Sequence, residues 1–361
     1  MRKNLFATTP GIIIVGAVIG LIAVWLQKLG NPANMGICVA CFERDVAGGL
    51  GLHRAAIVQY LRPEIMGLVL GSLAAAIATR EFKPRGGSAP IVRFVLGMIA
   101  AMGALVFLGC PWRAILRLAG GDGNAILGLA GLATGIGFGT LFFKKGYSLG
   151  RSNSQSVVSG ALFPVIAVCL LLLYLIFPQI PDQPQSGPLF YSVKGPGSQH
   201  APFIASLGLA FIIGIFAQRS RFCTMGAFRD LFLFRYTHLF LGLAAMFAAA
   251  FIANALTGGL KFGFEGQPVA HSDFLWNYLG MVTAGLAFAL AGGCPGRQLF
   301  MAGEGDSDAG IFALGMLVGA AMAHNLGTAS SGTGIGVYGM QATILGFAVC
   351  LIIGFVHSKK A

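Results

Sequence analysis

Charge is what this sequence has least of. Only 10% of its 361 residues are Asp, Glu, Lys or Arg, against roughly 25% in an average soluble domain. No stretch is polar enough to fold as a separate soluble domain. No Gly-rich phosphate loop of the P-loop type occurs, so no nucleotide-driven motor is visible in the chain. Cys38 and Cys41 form a Cys-x-x-Cys, but no second such pair and no pair of histidines completes a zinc site. No soluble basic module presents itself to nucleic acid, although the formal net charge is +12. No small-residue cleavage site comes after the first hydrophobic segment, which therefore reads as a retained helix rather than a signal peptide.

What is present is apolar. Hydrophobic residues make up 56% of the chain, with 54 glycines and a mean hydropathy of +0.79. Runs of about 18 to 20 apolar residues, long enough to cross a hydrocarbon core, recur throughout. The expected fold is an all-α polytopic membrane protein with about ten spans. They fall near 11–29, 62–79, 91–109, 124–143, 157–178, 201–217, 238–257, 274–293, 309–326 and 338–357. With the N-terminus in the cytoplasm, the inner side receives Arg2, Lys3, Arg80, Lys83, Arg85, Arg93, Lys144, Lys145, Arg151, Lys359 and Lys360. The outer side receives Lys28, Arg54, Arg62, Lys194 and Lys261. That bias obeys the positive-inside rule and puts both termini in the cytoplasm of a cell with a bacterial-type inner membrane. Much of the net positive charge reads as this topology signal and as attraction to anionic membrane lipids.

The chain also repeats itself. Cys38 is followed by Arg44-Asp45, and Cys223 by Arg229-Asp230, at the same spacing. Further on, Gly109-Cys110-Pro111-Trp112-Arg113 matches Gly293-Cys294-Pro295-Gly296-Arg297, and Gly121-Asp122 matches Gly305-Asp306. Both motifs recur at an offset of 184 to 185 residues. The chain thus divides into two halves, 1–182 and 183–361, together forming one transport-type domain. Each has five crossings, an odd number, so the second is expected to enter the membrane inverted. The charged stretches 31–53 and 218–236, and the segments opened by Pro111 and Pro295, are too short or too polar to face lipid. They read as four re-entrant half-helices, tolerated where protein or a water-filled cavity satisfies the backbone.

These segments suggest a chemistry. Proline suits the first helical position and leaves Cys110 and Cys294 at the cap. The exposed N–H groups and positive dipole end there favour an anion, and Arg113 and Arg297 lie over the same face with a planar fork for an oxyanion. Cys38 with Arg44, and Cys223 with Arg229, make the complementary points. A thiol is soft and polarizable, suited to a sulfur or selenium atom in the substrate. Cys169 and Cys350 read as small apolar packers. Arg44-Asp45 and Arg229-Asp230 suit either internal ion pairs or substrate contact. Asp122 and Asp306 read as caps or braces of the following helices, with a coupling-ion site as the alternative. His324-Asn325 reads as interfacial, with a proton-relay element as the alternative, and Gly131, Gly135, Gly137 and Gly139 read as close helix packing. Cys41 leaves a redox role open.

At these residues the sequence resembles the YeeE/YedE family of membrane proteins, over essentially the whole chain. The run Met35 through Arg62 and the segment Gly109 through Asp122 look like its selenium-metabolism YedE/FdhT branch, related to thiosulfate importers. The resemblance implies import of a small selenium- or sulfur-containing anion through a cysteine-lined pathway, with Cys38, Cys110 and Cys294 contacting the substrate. Cys223 joins them through the internal repeat. It also implies a cytosolic sulfur-carrier partner of the SirA/TusA type, and no enzyme activity or cofactor. A membrane thiol oxidoreductase using Cys38 and Cys41, or a scaffold for selenium-processing proteins, are the alternatives.

Overall fold

A computed structural model describes residues 5–358; Arg2, Lys3, Lys359 and Lys360, counted above toward the inner side, lie outside them. The described chain is almost wholly helical. Ten long helices are α1 (Thr9–Lys28), α3 (Pro63–Ala78), α4 (Pro90–Phe107), α6 (Asn124–Lys144), α7 (Val157–Ile176), α8 (Phe203–Ser220), α10 (His238–Leu256), α11 (Phe274–Ala291), α13 (Ser307–Asn325) and α14 (Gly339–Val356). Four short ones interrupt them: α2 (Val39–Gly49), α5 (Pro111–Ala119), α9 (Thr224–Phe234) and α12 (Pro295–Gly303). Among the described residues, nine helical segments are long and apolar enough to cross a membrane. The protein is a multi-pass membrane protein. The expected span at 62–79 is the one that falls short of that length. Pro63 starts it late and Arg80, at φ 58°, ends it early, so its 16 residues rise only about 24 Å.

Helices from the two halves of the sequence pack side by side. Helix α1 runs with α10, α3 with α8, α4 with α13 and α6 with α11, while α4 also packs on α11. The start of α1 meets the start of α10 through Thr9 and His238. Its end meets the end of α10, where Lys28 donates to the Thr257 carbonyl. The two are therefore parallel. Helices α4 and α11 come close where Gly103 and Gly280 each face the other's carbonyl; an added methyl would stand 2.7 or 2.9 Å away.

Glycine makes such contacts possible. Lipid tails are as apolar as leucine, so helices in a membrane associate by close packing rather than by hydrophobic burial. A methyl at Gly71 would come within 2.0 Å of the Phe211 carbonyl, and one at Gly131 or Gly135 within 2.1 Å of a carbonyl of α11. Gly139 meets the Ala289 methyl rather than a carbonyl, and Gly137 has open space around it and contributes no packing. Helices α7, α10 and α14 turn broad apolar faces outward, with Val158, Leu162, Ile252, Leu256, Ile344 and Ile352 exposed. Helix α11 and the short helices α2, α5 and α12 are buried over most of their length, and α9 only at its start.

Candidate functional site

Each short helix begins at a cysteine. Cys38, Cys110, Cys223 and Cys294 are the N-caps of α2, α5, α9 and α12. Their backbones match in pairs. Cys38 and Cys223 have φ, ψ of −154°, 105° and −155°, 118°; Cys110 and Cys294 have −80°, 172° and −69°, 165°. The long helices before α5 and α12 stop at a left-handed residue, Leu108 at φ 62° and Gly292 at φ 87°. Glycine adopts that conformation freely, whereas leucine is strained there by roughly 1–2 kcal/mol.

The four thiols form two couples. Cys38 Sγ accepts from the Cys41 N–H at 3.4 Å and from the Cys110 N–H at 3.5 Å, which sets its thiol beside the start of α5. In the other half Cys223 Sγ accepts from the Gly226 N–H at 3.3 Å, and its thiol lies next to that of Cys294. The Cys110 thiol lies near the backbone of Arg113 and Ala40, and that of Cys294 near the backbone of Arg297 and Thr224. Each couple thus sits where two helix starts converge, α2 with α5 and α9 with α12. Two sets of free N–H groups and two positive dipole ends meet there, a setting that favours negative charge.

The arginines differ between the couples. Around the first, Arg113 is buried and donates to the carbonyls of Leu108, Asn34 (3.3 Å), Pro268 (3.2 Å) and Val269 (3.0 Å), with Cys41 Sγ at 3.7 Å. Arg44 and Arg62 clamp the Asp45 carboxylate, each at 2.7 Å. Arg62 also donates to the carbonyls of Gln199 and Pro196, and its guanidinium lies over Phe42 and Tyr60. Two loop segments are thereby latched over the first couple. Cys38, Cys41 and Cys110 are no more than 1% exposed.

At the second couple the structure opens beside Cys223, while Cys294 stays fully buried. A cavity of about 370 Å³ is lined by Cys223, Arg229, Arg297, Arg221, Asp230 and His238, among others, at the face where α1 begins. Arg229 pairs with its neighbour Asp230, at 2.8 Å, and is 37% exposed. Arg297 pairs with Glu304 at 3.2 Å. At the rim, Glu81 accepts from Gln218 and pairs with Arg219 at 2.9 Å. Partial burial pushes its carboxyl upward, but the hydrogen bonds from Gln218 and Arg219 outweigh it and hold the group below its ordinary value.

Asp306 caps α13 by accepting from the Ala309 N–H and binds Arg85. Asp122 braces Arg117 at 2.6 Å and accepts from Asn124. His324 packs on His53 with ring centroids 4.6 Å apart, and Asn325 donates to the Leu52 carbonyl. All seven cysteines are free thiols. Among the described residues no three His, Cys, Asp or Glu side chains gather to hold a metal ion.

Residues 219–355, which carry α9, α12 and most of the cavity lining, match the family described as sulphur transport. The chain is 32% identical over 106 residues to the thiosulfate transporter TsuA of Spirochaeta thermophila. Both similarities agree with the resemblance of the sequence to the YeeE/YedE family. The match takes in 29% of this chain and 32% of that transporter, so the chain spans about a third of the relative's length. The family match falls on the second couple and its cavity; the first couple joins it through the internal repeat.

Three residues of this site have roles that their sequence context does not signal. Arg62 reads in the sequence as an outer topology charge, yet it is fully buried on Asp45. Glu304 carries no motif, although it bridges Arg297 and Arg85. Trp112 lies inside the Cys-Pro motif but looks there like an ordinary apolar residue.

Proposed function

We propose that this protein carries a small sulfur-containing anion, thiosulfate or a selenium analogue, across the membrane along a path that joins the two thiol couples. The observation that carries this reading is the placement of every couple at two converging helix starts. The positive ends of α2 and α5, and of α9 and α12, favour the anion's charge, while the thiols meet its chalcogen end as soft, weakly donating groups. Arg229 and Arg297 draw the anion into the cavity. Matching caps and parallel cross-half packing support two inverted five-helix repeats, residues 1–182 and 183–361, with the path at their interface. Under the positive-inside rule the cavity opens to the cytoplasm of a bacterial-type inner membrane, with both termini on that side. A cytosolic sulfur-carrier protein of the SirA/TusA type is a fitting recipient there.

Uptake of radiolabelled thiosulfate into proteoliposomes tests the reading. Cys110→Ala and Cys294→Ala should each lower the rate by about tenfold or more, the size expected for losing a contact to a charged partner. Wild-type uptake in the double variant would remove the thiols from the path. Competition by unlabelled selenite then ranks sulfur against selenium.

A further inference from the structure

We propose that Trp112 is the gate between the two thiol couples, and that its unpaired indole N–H is a donor that recognises the anion as it passes. The proposal rests on the transport reading above and names a specificity residue within it.

Trp112 is the second residue of α5, and Gly296 holds the same place in α12. The two positions face each other: a methyl built on Gly296 would stand 3.1 Å from the indole Cζ2. Phe222, the neighbour of Cys223, meets the indole edge-on at 5.7 Å, and Phe300 lies 5.9 Å away. The capping cysteines, Cys110 and Cys294, stand two residues behind on either side. One aromatic ring therefore fills the contact between the first couple and the second, and it is only 1% exposed.

The duplication explains why the two positions differ. Indoles at both would collide, and glycines at both would leave a hole between the couples. One large and one absent side chain give a plug with a flat seat, and a turn of a single side chain opens it. The plug also carries an unanswered polar group. Buried indole N–H groups ordinarily find a partner, yet Trp112 Nε1 has none among the described residues. That N–H is a donor only, so it suits the oxygens of an oxyanion and offers nothing to a cation.

Three measurements test this. In the first, a membrane-impermeant methanethiosulfonate is added from the cavity side and modified cysteines are read by peptide mass spectrometry. The wild type should be labelled at Cys223 and spared at Cys110, whereas Trp112→Ala should raise Cys110 labelling at least about tenfold, since one side chain supplies the barrier. Unchanged protection of Cys110 would overturn the gate. In the second, Trp112→Phe keeps an aromatic plug but lacks the N–H. It should leave Cys110 protected and still lower thiosulfate uptake by about tenfold, the loss expected for one hydrogen bond to a charged acceptor; wild-type uptake would overturn the donor role. The third leaves the gate intact and so does not depend on how variants at 112 fold. The chain has three tryptophans, so Trp25→Phe with Trp276→Phe makes Trp112 the sole indole. Its emission should shift saturably with thiosulfate, and an unresponsive spectrum counts against the proposal. The labelling measurement uses no substrate, so it still reads the gate if thiosulfate proves not to be the cargo.

Discussion

The two thiol couples share one backbone frame, yet one is sealed and the other opens to a cavity. Helix α2 is buried along its whole length, whereas in α9 only Thr224 to Ala227 are buried. The difference lies in the connection that leaves each helix. After α2 the chain takes a long excursion, 50–62, before α3; after α9 it needs only 235–237 to reach α10. The longer loop delivers Arg62, and Arg62 ties Asp45 to the 196–199 segment. Without such a loop, Arg229–Asp230 is left at the mouth of a cavity. A duplicated unit thus acquires opposite accessibility from a change in one connection.

The largest expected effect breaks the sealed side. Arg62→Ala leaves Asp45 with one partner where it had two, in a fully buried site. Removing one member of a buried ion network costs about 3–5 kcal/mol, so thermal unfolding in detergent should show a large loss. Arg229→Ala, at an exposed pair, should cost no more than about 1 kcal/mol. Equal losses at the two sites would erase the distinction drawn between them.

Much of this contrast was hidden in the sequence, while the frame was open to view. Proline after Cys110 and Cys294 marks a helix start, and charge within 31–53 and 218–236 marks segments that cannot face lipid. Repetition at one offset revealed which residues are equivalent. It did not reveal which are neighbours: Cys38 meets Cys110 across 72 residues of chain, a contact made by tertiary packing and by no local pattern. Buried Arg62 looked like any loop arginine because only its three-dimensional surroundings desolvate it. Trp112 escaped notice because apolar residues are unremarkable in a membrane protein; its significance lies in facing Gly296 and in an N–H left without a partner among the described residues. The shortness of α3 likewise depends on where the chain turns, at Arg80, rather than on hydropathy.

A smaller effect sharpens the open side. Arg297 lines the cavity and pairs with Glu304, which keeps Arg85 at 3.5 Å when Arg297 is removed. Arg297→Ala should therefore fold and raise the KM for thiosulfate uptake by about tenfold, the worth of one charge-assisted hydrogen bond. Arg113→Ala, by contrast, strips the Pro268 and Val269 carbonyls of their donor and should show first as lost stability. A KM change confined to Arg113→Ala would place the anion's first contact on the sealed side instead.

The smallest effect concerns the rim. Glu81 joins the end of α3 to that of α8 through Gln218 and Arg219, and its carboxyl titrates below the ordinary value of 4.5. A carboxyl whose value is lowered by folding stabilises the folded state above its unfolded value, and that contribution disappears as pH falls through the lowered one. The gap in unfolding midpoint between wild type and Glu81→Gln should thus be small and level from pH 8 to about 5, then close as the pH drops further. The midpoints should not converge on raising the pH. Convergence in that direction would mean that burial, not the two donors, governs Glu81, and that the rim of the cavity is held by packing alone.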